Sequence, residues 1–166
     1  MKKLYFSVLV VVLFIACNPG KTKENTQEEA PVIALADFNA KAGDWVGKEV
    51  IVEGIVDHVC KHGGKKLFLV DDNGDLHVNG EKRFDDALMG NQIVVKGIVK
   101  EFRVDEAYCL QQEQDFIQKH KEGVDPDSVY TQKMEGITFY RDSMKTTGKD
   151  HLSFYSIDYI SHEVKK

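Results

Sequence analysis

Apolar and polar residues alternate through much of this chain from residue 49 onward. "EVIVEGIV" (49–56) recurs as "QIVVKGIV" (92–99), each with a glycine at the same place, Gly54 and Gly97. Val and Ile favour strands. A glycine inside a strand marks a sharp bend or bulge, such as a small barrel needs to close. The two runs therefore read as long, bent barrel strands. Between them, "KLFLVDD" and "DLHVNG" flank Asp72, Asn73 and Gly74. Asn-Gly supplies the positive φ angles of a type I′ turn, which predicts a hairpin.

Other segments change period. "KRFDDALMG" (82–90) places Phe84, Ala87 and Leu88 at helical spacing before a glycine and reads as one short helix. From Asp105 to about Gly148 two helices are expected. The first runs to about Glu122. The second starts near Asp127 as its N-cap and repeats Tyr130, Met134, Ile137 and Met144, with Gly136 weakening it. "HLSFYSIDYISHEV" (151–164) returns to strand character. Tyr155, Ile157 and Tyr159 share one face; Leu152, Phe154 and Ile160 lie mostly on the other. This order predicts a mainly β fold: a five-stranded OB-fold Greek-key barrel with a helical insertion, about 105–148, between strands four and five. Phe38 and Trp45, ahead of strand one, are expected to plug the barrel.

The chain has 166 residues, room for one domain with its own core. Its start follows a different pattern. "MKKLYFSVLVVVLFIAC" has two lysines, an apolar run and then a cysteine. The run is shorter than the roughly 20 apolar residues of a spanning helix. It reads as a signal peptide over 1–16. "LFIAC" resembles a bacterial lipobox, which implies cleavage before Cys17 and a diacylglyceryl thioether on its sulfur. The expected partner is then a membrane, held through acyl chains. The expected location is a membrane-anchored lipoprotein facing the periplasm of a Gram-negative bacterium. "NPGKTKENTQEEAP" (18–31) is polar and aperiodic. Residues 17–36 read as acylated cysteine and flexible tether, and 37–166 as the OB-fold domain.

Charge bears on partners. Loss of Lys2 and Lys3 with the leader takes the formal net charge from −5 to −7. Nucleic-acid binding draws most of its non-specific affinity from Lys and Arg at phosphates, so both charge and compartment disfavour that partner.

"VIVEGIVDHVCKHGGKKLFLVDDNGDLHV" (50–78) resembles the first three strands of the anticodon-binding OB-fold of aminoacyl-tRNA synthetases and its nucleic-acid-binding relatives. Gly54, Val56, Gly63, Phe68, Asp71 and Gly74 carry the match, give or take one residue in the loop. The whole chain also resembles small OB-fold lipoproteins of Gram-negative bacteria. The tRNA-type resemblance implies that Phe68 stacks on a base. It also implies an arginine late in strand one, but that position falls near Cys60, where there is no guanidinium to make bidentate contacts.

The same stretch sets His58, Cys60 and His62 at every second position, on one face if the strand stays extended. Three readings stand open. The strip is a metal or haem-type ligand set, with zinc or haem as the cofactor. Or Cys60 is a redox thiol, or is bridged to Cys109, since an extracytoplasmic pair of cysteines favours a disulfide. Or the strip is the end of a strand. Lys65, Lys66, Phe68 and His77 are the ligand-binding candidates, on the face and loop that OB-folds use. No serine-nucleophile motif, phosphate-cradling loop or His-Glu-x-x-His helix occurs, so the expectation is a binding module rather than an enzyme. Its ligand would lie across strands two and three; the alternative is a nucleic-acid-binding OB-fold protein.

Overall fold

The structure, a computed structural model, describes residues 30–165. The leader, Cys17 and the tether up to residue 29 lie outside the described residues. Five strands form a closed barrel: β1 (Glu49–Val59), β2 (Lys66–Asp71), β3 (Gly74–Asn79), β4 (Gln92–Asp105) and β5 (His151–Val164). Their spatial order is β1-β2-β3-β5-β4, closing back on β1. Among these five strands only β3 and β5 pair in parallel. This is the expected OB-like barrel with the helical insertion between β4 and β5.

The alternation in the sequence becomes the core. Val50, Val52 and Val56 of β1, Leu67 and Leu69 of β2, Leu76 and Val78 of β3, and Ile93, Val95 and Val99 of β4 point inward with Ile157 of β5. Full burial of each such side chain contributes about 1.5–3 kcal/mol. The two echoing runs are direct neighbours, pairing antiparallel with Val50 opposite Gly97 and Gly54 opposite Ile93.

One pole is sealed by α1 (Leu35–Lys41) and the 3-10 turn Ala42–Trp45. Phe38 and Ala42 are wholly buried. Phe38 is therefore the plug. Trp45 packs on the core only in part, with the Lys48 ammonium 5.1 Å from its ring centre. The chain joins the barrel before residue 37. Ile51 N–H donates to the Pro31 carbonyl at 2.8 Å, Ile33 N–H donates to Ile51 at 2.9 Å, and Ile33 and Leu35 enter the core.

Several local expectations are corrected. The stretch 82–90 holds only a 3-10 turn, Asp86–Leu88, capped by the Asp85 carboxylate on Ala87 N–H at 2.9 Å. Its backbone is pulled out of a helix by neighbours: Phe84 N–H donates to Gly64 and Gly90 N–H to Val56. The β2–β3 turn is centred on Asp72 and Asn73, because Asp71 pairs with Gly74. Neither central residue has positive φ, so the turn is not type I′. Asp71 instead accepts from Asn73 N–H at 2.8 Å. Gly74 is needed because a Cβ there would sit 2.9 Å from the Leu35 carbonyl oxygen. Finally, Gly97 lies beside the irregularity between β4 and β5, but the β1 bulge falls at Asp57, past Gly54.

The insertion is the helical hairpin α2 (Glu106–Lys121) and α3 (Asp127–Thr147). Asp105 caps α2 through Tyr108 N–H at 2.8 Å, Pro126 rather than Asp127 takes the α3 N-cap, and Gly148 ends α3 at φ 66°. The hairpin makes a second small core of Val104, Cys109, Ile137 and Met144, with Tyr108, Tyr140 and Leu152 against it. Arg141 of α3 clamps the Glu106 and Glu113 carboxylates of α2.

Candidate ligand-binding face

The β1 bulge decides where the strip points. Val56 and Val59 both face the core, with the register shift between Val56 and His58. The extra residue, Asp57, reverses the alternation. His58 and Cys60 therefore share the outer surface. His62 does not join them: β1 ends at Val59, and residues 61–64 form a turn in which Gly64 N–H donates to the Cys60 carbonyl at 2.8 Å. Among the described residues no three His, Cys, Asp or Glu side chains converge as a metal site would need. Cys60 is half-buried and unbridged. Cys109 is fully buried in the second core, also unbridged, and burial pushes its thiol pKa up. The Cys60–Cys109 disulfide is thus not formed.

What the sheet gathers instead is a row of rings. Antiparallel pairing puts His58 opposite Phe68, and Phe68 opposite His77. The His58 and Phe68 rings stack with centroids 4.0 Å apart at 16°. Phe68 and His77 meet edge to face at 4.4 Å. Both histidines are exposed and Phe68 is half-buried. Asp57, the bulged residue, orients the row. Its carboxylate accepts from His58 Nδ1 at 2.6 Å. In the neutral ring that leaves Nε2 with the free lone pair.

The two lysines frame this row. Lys66 starts β2, exposed, across from Asn79; Lys65 sits in the loop before it and accepts from Gly80 N–H through its carbonyl. Lys66, Phe68 and His77 therefore lie on one continuous surface, with His58 and Cys60 at its β1 side and Lys65 in the loop at its edge. The sequence reading missed two contributors. One is Asp57, whose role depends on a bulge that no composition signals. The other is Arg83. Its side chain lies against Gly64, whose φ is +65°, and fills the space where any Cβ would go. The guanidinium absent near Cys60 in sequence is thus present beside the same loop in space, paired with Asp86 at 2.8 Å.

The face is chemically simple: two imidazoles, one phenyl ring, one thiol and flexible ammonium groups. It can stack a flat group and hold an acceptor at its lysine end. No protein-family model matches the sequence, and no similar curated protein was found for it.

Proposed function

We propose that this protein is a non-enzymatic binding module. It is held by acyl chains on Cys17 at a membrane, facing the periplasm, and takes its ligand on the outer face of β1, β2 and β3. The observation that carries this reading is the His58–Phe68–His77 row, three rings in register with the two imidazoles open to solvent and Phe68 half-buried between them. A row of this kind offers a flat group a surface to stack on. It also lies where OB barrels take ligands. Within this reading, His58 offers a haem iron one nitrogen, Nε2, because Asp57 holds Nδ1. Cys60, on the same surface two residues on, offers a thiolate.

The test is what the full chain retains when purified from its membrane in detergent, read by native mass spectrometry and metal analysis. A retained haem, metal or small molecule should fall by about tenfold in Phe68→Ala and His58→Ala, the loss of one stacking or coordinating contact. Unchanged retention in both variants refutes the assignment to this face.

A second reading, a nucleic-acid-binding protein, is favoured by the same ring row lying beside Lys65 and Lys66, the pattern of a single-strand platform. Titration of a single-stranded oligonucleotide separates the two. Micromolar binding with a steep salt slope supports the second reading; no binding at low salt removes it.

A further inference from the structure

Two runs of rings lie on the outside of this barrel and stop short of each other. The first is His58, Phe68 and His77. The second begins at Phe154 of β5. Its ring centre is 6.4 Å from Phe102 of β4 and 6.1 Å from Tyr140 of α3, and Phe102 meets Tyr108 of α2 edge-on at 5.2 Å. The interruption has a structural cause. β3 and β5 pair only at Val78–Ile157 and Asn79–Asp158. Before those pairs the sheet opens, and a cavity of about 270 Å³ lies in the opening, lined by Asn39, Asp75, His77, Ser153, Phe154 and Tyr155.

The lining leans toward acceptors, with the Tyr155 hydroxyl and the Asn39 amide as its side-chain donors. His77 and Phe154 contribute rings. The Asp75 carboxylate is exposed and has no ion-pair or hydrogen-bond partner among the described residues, which leaves it free to accept from a ligand. Ser153 donates its one hydrogen to Glu101 at 2.6 Å, which leaves only oxygen lone pairs. The Asn39 amide can present either edge. No lysine or arginine lines the cavity.

We propose that this opening is a slot for a small, planar, nitrogen-bearing aromatic ring that donates hydrogen bonds and carries no negative charge. The ring enters between His77 and Phe154, joining the two runs, and its N–H edge meets Asp75 and Ser153. An anionic ring of the same size is rejected by the Asp75 carboxylate. A saturated ring loses the stacking. The slot rests on the reading of the outer face as a binding surface and gives that surface a ligand class.

The probe is 2-aminobenzimidazole, flat and rich in donors, titrated into the full chain in detergent and followed by calorimetry and amide chemical shifts. Benzoate serves as the anionic ring. The expected result is saturable binding of the amino ring at or below about 1 mM, with shifts centred on Asp75, His77, Ser153 and Phe154, and no saturation by benzoate. Asp75→Asn and Phe154→Ala should each weaken it by about tenfold. Because Phe154 also packs against the insertion, Asp75→Asn, at an exposed position, decides if Phe154→Ala unfolds. Absence of binding, equal binding of benzoate, or binding unaffected by Asp75→Asn overturns the slot. Shifts confined to His58, Phe68 and Lys66 also overturn it while leaving the outer face as the binding surface. The outer-face assignment itself fails only by the Phe68→Ala and His58→Ala comparison.

Discussion

Gly97→Ala tests how the barrel closes. Gly97 is buried in β4 beside the irregular stretch of β5, and its φ is not in the left-handed region. The backbone conformation therefore suits any residue, and only space forbids a side chain. An added Cβ would stand 2.6 Å from the Asp158 carbonyl oxygen and 3.3 Å from the Ile157 Cβ. The obstacle is backbone of the paired strand, which cannot rotate away. β4 and β5 must part by several tenths of an ångström at the seam that closes the barrel. Overpacking of this kind costs about 2 kcal/mol, or a melting temperature lower by about 6 °C for a domain of this size.

Gly54→Ala is the internal comparison. Its Cβ would also come within 2.6 Å of an atom, but that atom is the Leu35 Cδ1, the end of a rotatable side chain. The Val70 oxygen and Leu69 Cβ lie at 3.2 and 3.3 Å. The cost should be about 1 kcal/mol. Gly136→Ala, inside α3 with nothing within 4 Å of the added atom, should stabilise by up to about 1 kcal/mol through helix propensity. Urea unfolding followed by circular dichroism measures all three. The reasoning fails if Gly97→Ala unfolds at the wild-type midpoint, or if Gly54→Ala proves the more costly change.

Thiol labelling without reductant should modify Cys60 in the folded chain and Cys109 only after unfolding; a missing thiol in the unfolded chain would mean a bridge. The Arg141 guanidinium holds the Glu106 and Glu113 carboxyls below the usual carboxylate range through hydrogen bonds. Stability from a lowered folded pKa is present above the unfolded pKa and is lost as pH falls through the folded one. Helix content should therefore drop in acid, below the ordinary carboxylate range, and that acid dependence should shrink in Arg141→Gln. Cys17→Ser should abolish incorporation of labelled lipid and partition into detergent, since a hydroxyl cannot form the thioether; unchanged labelling would sink the lipid-anchor reading.

The strands were legible because each buries one face, so the period of two survives in the sequence. β5 falls on 151–164 as its pattern predicts. The insertion was legible because α2 and α3 keep a helical period and share one small core. The 82–90 segment misled because Phe84 and Leu88 are both buried, as helical spacing implies, while backbone bonds to Gly64 and Val56 at its two ends leave room for only a 3-10 turn between them. Phe38 and Trp45 look alike as plugs in the sequence. Which one fills the pole depends on how α1 docks, and that is a tertiary fact.

The site was harder to read because it depends on register, which small local events set. A turn centred on Asn73 and Gly74 would pair Phe68 with Asn79. The observed centre, Asp72 and Asn73, pairs Phe68 with His77 instead. One residue in the turn moves each cross-strand partner by two, so the same side chains stay on the outer face but meet different neighbours. The turn position is tied to Gly74, and Gly74 to the Leu35 carbonyl packed against it. On the other side, the bulge at Asp57 brings His58 rather than Asp57 opposite Phe68. The ring row is therefore fixed at both ends by contacts distant in sequence. The N-terminal segment that docks α1 sets one end, and the bulge at the end of β1 sets the other. Composition alone names His58, Phe68 and His77 as candidates; only these two constraints make them a stack.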